Sequence, residues 1–449
     1  MAARKETPLA FADAFAALET RLPGKSVPWL SRLRAESWDR YAALGLPTVR
    51  DESWKFTNLN ALRRAGVVPV QDGAPTLDAV PLGAALSIDA YLAVLVNGVF
   101  RTDLSTLPNE DAGLSVKSFA AVADDDPEQL EGSLGKLADG DTLPMAALNT
   151  ALAADGLVIH LRKGAEIEKP LHILSIGIAG EAAVMFQPRV LVTAEENSSV
   201  CILESHVGAG DGVYFSNTVT ELDIAPRARV RHYKLQNEHP AAFHIAATAV
   251  SLADGAAYEN FVLQVGGRIA RNEIHVHIGG ERAECTMNGA YLLRGKQHAD
   301  STTFVDHAAP NSQSREFYKG VIDNTARGVF QGKILVRKDS QKTDGQQLNK
   351  ALLLSRGAEI DSKPELEIYA DDVICSHGAT AGELDNEALF YLRSRGIDEA
   401  TARGLLIEAF VGEAVQQIDH AASQEAFQKV VDGWLHDGAQ TRANDGESA

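Results

Sequence analysis

Apolar residues change their spacing twice along this chain, and the two changes divide it into three parts. From about residue 8 to 64 they recur at helical intervals. Phe11, Phe15, Leu18 and Leu22 precede Pro23-Gly24, and Trp29, Leu30, Leu33, Trp38 and Tyr41 precede Gly45 and Pro47. Aromatic stripes of this kind are read as core rather than as a cofactor site. Asp51–Thr57 (DESWKFT) is a mixed charged and aromatic turn. Leu92–Phe100 is expected as a strand, Asp124–Asp126 as an acidic loop, and Pro127–Leu137 and Pro144–Ala154 as helices.

From Leu157 the pattern becomes short Val-, Ile- and Thr-rich strands parted by Gly, Asp and Ala turns, and it holds for about 215 residues. A small-residue turn followed by a strand recurs at Gly164-Ala165, Ser198-Ser199, Arg227-Ala228, Gly255-Ala256, Arg282-Ala283 and Arg356-Gly357. The first five lie roughly 27 to 33 residues apart, a period that marks stacked coils. The spacing predicts a parallel β-helix over 157–372, with an antiparallel jelly roll as the competing arrangement. The fold class is therefore mainly β with flanking α. A mostly helical N-terminal domain (1–156) and a C-terminal helical domain (373–449) enclose the β-helix core.

The second change falls within Glu365–Val411. An alternating strand with Leu366 and Ile368 on one side leads to Cys375 and His377, two residues apart and so on one face of an extended chain. Two helices follow: Asp385 caps the first, Gly396 ends it, and Asp398 caps the second. Phe427, Val430, Val431, Trp434 and Leu435 form a last apolar face. The final dozen residues, GAQTRANDGESA, are polar and expected to be disordered.

Composition narrows the function. A formal net charge of −19 opposes binding to nucleic acid or an anionic membrane. No apolar run reaches the roughly 18 residues of a membrane span, and the N-terminus lacks the pattern of a secretory signal. Three scattered cysteines, Cys201, Cys285 and Cys375, fit a reducing compartment. The expectation is a cytoplasmic protein.

Three other constellations compete for attention. His275 and His277 share a strand face, with Glu281 four residues on, which resembles a cupin metal motif; a cupin-like metalloenzyme is the alternative function. The displaced glycine and the missing second motif weaken it. His298, Asp300, Asp306 and His307 form a polar cluster, expected as a turn-rich loop, with no serine or cysteine placed as nucleophile. Gly328–Ile334 fails the phosphate-loop pattern in spacing and in its last residue, so no nucleotide is expected on this chain. A secreted β-helix lyase is disfavoured by the N-terminus.

The segment VICSHGATAGELDNEALFYLRSRGI (Val373–Ile397) closely resembles the SufD branch of the SufB/SufD family of iron–sulfur cluster assembly proteins. Val305–Gly320, Val329–Ile334 and Glu52–Thr57 are similar to that family as well, so the resemblance covers essentially the whole chain. It implies a right-handed parallel β-helix between helical domains, and a non-catalytic scaffold subunit of the SUF machine. It further implies pairing with a SufB-like paralogue and docking of a SufC-like ABC ATPase through the C-terminal helices. Whether the isolated chain pairs with itself stays open. The family's interface histidine falls on His377, with Cys375 beside it, as ligands of a transient iron–sulfur cluster shared with SufB. Thiolate and neutral imidazole suit that chemistry.

Overall fold

Strand alternation and turn spacing build a two-sided coil. The computed structural model describes residues 9–70, 77, 82–109 and 113–446. Strands from Leu171–Ile178 onward pair in parallel with one a coil earlier and fall by turns into a ten-stranded and an eleven-stranded sheet, Val184–Phe186 and Arg189–Ala194 sharing one place in the latter. This is a β-solenoid of about eight turns, flanked by N- and C-terminal helices. Leu222, Val250, Val276, Val305, Ile334 and Leu366 stack in register through one face of the first sheet, each one strand further along. Such columns bury the aliphatic core without any single turn having to close it alone.

The turns carry the repeat. Gly164, Asn197, Arg227, Gly255, Arg282, Asn311 and Lys342 all sit at φ between 57° and 71° and stack at one corner of the coil. The amides of Asn197, Arg227, Asn311 and Lys342 donate to carbonyls of the next coil, those of Pro226, Asp254, Gln341 and Asp372. Arg356-Gly357 lies instead on the opposite corner, where Gly357 packs against Asn324. The apparent sixth repeat thus belongs to a second column of turns.

Several sequence expectations shift. His298–His307 is a strand of the first sheet, not a loop. Its inward Ser301, Thr303 and His307 and its outward Asp300 and Asp306 are all hydrogen-bonded, so polarity hides the alternation. Asp124 and Asp125 end the helix Phe119–Asp125 rather than a loop. Strand pairing also overruns both expected boundaries of the core. Tyr91–Val96 joins the second sheet, and Leu114–Ser118 pairs antiparallel with Gly156–Leu161. At the far end Ile374–Gly382 bonds in parallel to Asp344–Leu353, ten residues past Asp372. The helix Ala421–Gly446 runs through most of the stretch expected as a disordered tail, because no proline interrupts it; residues 447–449 lie outside the described ones.

The two ends of the coil differ. The early end is closed by short antiparallel strands, Val99–Phe100 on one sheet and Leu114–Ser118 on the other. The late end is open: Glu359–Ile368 and Ile374–Gly382 are outermost in their sheets, with Ile368, Tyr369 and Ile374 exposed. On the outer face of the first sheet, the N-terminal helices bury Tyr41, Trp54 and Leu62 against Phe215, Phe243 and Ile245. On the outer face of the second, the helices Glu399–Val415 and Ala421–Gly446 bury Ile407, Val411 and Phe427 against Tyr233, Leu235 and Phe261. Burial of this kind contributes about 25 cal/mol per Å² of apolar surface.

Candidate functional site

The inward face of the second sheet is the setting of the candidate site. Register places Gln347 beside Glu316 on one side and His377 on the other. Gly345 lies likewise between Ser314 and Cys375. Cys375 packs against the core beside Ala370 and Val373 and is half-buried. Burial pushes its thiol above the ordinary range, partly offset by the Gly345 backbone amide. His377 is exposed, and among the described residues its ring has no hydrogen-bond or ion-pair partner. Thiol and imidazole therefore leave the same face of the last strand, over the open end of the coil's interior, as their spacing predicts.

That interior is unusually polar. Beneath His377, Gln347 Nε2 donates to Glu316 Oε1 at 3.3 Å and Thr303 Oγ1 donates to Glu316 Oε2 at 2.6 Å. Burial raises the Glu316 carboxyl to about 7, against these two hydrogen bonds. His307 is neutral, pushed down to about 4 by burial. Ser312 Oγ donates to the Ala309 carbonyl, so it accepts from His307 Nδ1, and Nε2 is left to accept from Ser314. Deeper still, Glu204 lies 2.8 Å from His206 Nε2 and 2.9 Å from His232 Nε2. Burial alone would raise the Glu204 carboxyl, but His232 and His206 hold it well below its usual range. Apart from His307, none of these inward polar groups stands out in the sequence, because nothing local marks a Glu or His as facing inward.

The competing metal motif does not assemble. His275 Nε2 lies 3.4 Å from Glu273, and His277 Nδ1 lies 2.9 Å from Asp306, which Arg337 also clasps. Glu281 sits in a turn 3.3 Å from Arg282. These side chains are on the outer face of a parallel coil, not inside an antiparallel cupin barrel. Among the described residues no three His, Cys, Asp or Glu side chains are grouped so as to hold a metal ion. Cys375 and His377 thus form a pair of donor side chains with no third grouped beside them among the described residues.

The helices after the site have the ends read from the sequence. Asp385 accepts from the amides of Glu387 and Ala388, Gly396 takes φ 89°, and Asp398 accepts from Thr401. Phe390 and Tyr391 on Asn386–Ser394 are 74% and 56% exposed, whereas the following helix is largely seated on the second sheet. Among the described residues no helix is long and apolar enough to cross a membrane.

Comparison with known proteins adds an independent line. The model of the SUF system FeS cluster assembly SufBD core domain matches residues 177–410, and that of the SufBD protein N-terminal region matches residues 5–173. An iron–sulfur cluster assembly SufBD family protein of Synechocystis is 33% identical over 403 residues, 88% of each chain. The iron–sulfur cluster assembly protein SufD of Escherichia coli is 31% identical over 389 residues, covering 86% of this chain and 89% of the relative. The chloroplastic protein ABCI7 of Arabidopsis thaliana is 29% identical over 428 residues, 92% of this chain and 87% of that one.

Proposed function

This chain belongs to the SufBD family of iron–sulfur cluster assembly proteins, and from that membership we propose that it is a non-ATPase scaffold subunit, acting as a SufD-type partner of a SufB-like paralogue. A role in iron–sulfur cluster assembly follows from the family itself. In this reading the open edges of Glu359–Ile368 and Ile374–Gly382 pair with the paralogue. His377 and Cys375 contribute ligands to a nascent cluster that both subunits hold as cargo. An ABC-type ATPase docks on the exposed Phe390 and Tyr391 of Asn386–Ser394.

One observation carries the proposal. A soft and a borderline donor stand side by side on the terminal strand, at an unpaired edge, and among the described residues no third ligand joins them. A site with two ligands and an open edge is completed by another chain.

The test is His377→Ala in the assembled complex. His377 is exposed and has no partner among the described residues, so its truncation should change stability by less than about 0.5 kcal/mol. Anaerobic reconstitution with iron and sulfide, read by absorbance, should give a reduced cluster yield with subunit assembly intact. Cys375→Ser should reduce it less, the main thiolate coming from the paralogue. A normal yield in His377→Ala would reduce the histidine to an interface hydrogen bond.

A further inference from the structure

The charged and aromatic turn Asp51–Thr57 contains Glu52–Thr57, six residues that lie outside the candidate site. In the structure these six residues touch four consecutive strands of the first sheet. Thr57 Oγ1 donates to Asp300, so His298 Nε2 donates to Thr57 Oγ1 at 2.9 Å. The Arg271 guanidinium lies 4.1 Å from the centroid of the Trp54 ring and is paired with Asp300 and Glu273. Gln331 Nε2 donates to the Ser53 carbonyl at 3.1 Å, and Glu52 meets Lys363 at 2.5 Å. The strands involved are Ile269–Ile278, His298–His307, Arg327–Val336 and Glu359–Ile368, the last four of that sheet.

We propose that Glu52–Thr57 is a strap that holds the distal turns in register and thereby positions Cys375 and His377. Its functional half rests on the ligand reading above; its mechanical half does not. The distal strands need such support. Glu359–Ile368 has a neighbour on one side only and no fully buried residue, and Ile374–Gly382 follows it through a single short turn. At the other end of the strap, Trp54, Arg271, Asp300 and Thr57 are buried almost completely. One arginine flanked by two carboxylates away from water is held only while its aromatic cover stays in place, since charge pairs weaken steeply once solvent enters. The strap therefore ties its exposed end, Glu52–Lys363, to an anchor that cannot slide. Residues from 52–57 and residues from 269–368 are far apart in sequence, so the tie constrains the coil as a whole rather than one turn.

Hydrogen exchange measured by mass spectrometry on the full chain tests the mechanical half. Trp54→Ala should accelerate exchange about tenfold in 327–336 and in 359–382. Trp54→Phe, which keeps an aromatic face for Arg271, should restore the slow rates. Acceleration confined to 52–57 and 269–278 would overturn the strap. Should Trp54→Ala fail to fold, Lys363→Met removes only the exposed end. It should then accelerate 359–382 about threefold, and unchanged exchange there would overturn the proposal equally.

Cluster yield in the assembled complex tests the functional half. Trp54→Ala should lower it and Trp54→Phe should recover it. Faster exchange with normal yield, in a complex where His377→Ala does lower yield, would refute positioning. Normal yield in His377→Ala as well would refute the ligand reading and leave the mechanical strap standing.

Discussion

Glu316 offers the sharpest quantitative check on the polar interior. Its carboxyl is buried, accepts from Thr303 and Gln347, and titrates at about 7 instead of the ordinary 4.5 because burial disfavours the charge. In the folded state it binds its proton more tightly than in the unfolded state. Its contribution to stability is therefore fully present below pH 4.5 and is lost as pH rises through 7. The difference corresponds to about 3 kcal/mol between pH 4.5 and pH 8. Glu316→Gln removes the ionisation while keeping the shape. The new amide can still accept from Thr303, and it can donate to Gln347 Oε1, which has no partner among the described residues.

The variant should match wild type in stability at pH 5 and exceed it by about 3 kcal/mol at pH 8. Urea midpoints at pH 5, 6.5 and 8 measure this, and the wild-type-minus-variant difference cancels every other titrating group. Parallel pH profiles would refute the reasoning, showing that the carboxyl is hydrated or otherwise paired. A variant less stable at pH 8 would show that Glu316 is held as a needed anion.

Phe390→Ser should weaken binding of an ABC-type ATPase by at least about tenfold, with an unchanged melting temperature, because that ring is three-quarters exposed. Calorimetric titration checks it. A truncation removing all the C-terminal helices would be less informative, since it would uncover Tyr233, Leu235 and Phe261. Gly320→Ala should destabilise by about 1–3 kcal/mol or more. Its Cβ would fall 1.9 Å from the ring of the buried Tyr291, which a melting curve would report.

Much of the fold was legible because its signals are local. The caps Asp385 and Asp398 and the left-handed turn at Gly396 are written in single residues. The coil period showed through Arg227, Gly255 and Arg282, which share one corner. His298–His307 was misread because polarity on both of its faces erases the period of two. Its inward Ser301 and Thr303 find hydrogen bonds in the interior, and its outward Asp300 is covered by Thr57 and Arg271. Tyr91–Val96 pairs with Leu171–Ile178 across several intervening helices and strands, and so leaves no local trace. For the candidate site, the spacing of Cys375 and His377 gave their shared face. Their position over an open, polar interior depends on which strand comes last, and no short window of sequence contains that.

The unequal ends of the coil give it a direction. A parallel solenoid with bare strands at both ends has two adhesive surfaces and can add copies head to tail without stopping. Here the early end finishes in the antiparallel strands Val99–Phe100 and Leu114–Ser118 and the late end in the parallel strands Glu359–Ile368 and Ile374–Gly382, so the two ends offer different hydrogen-bond patterns. A late edge that pairs with its like closes on itself as a two-fold pair, while a head-to-tail join must match two unlike edges.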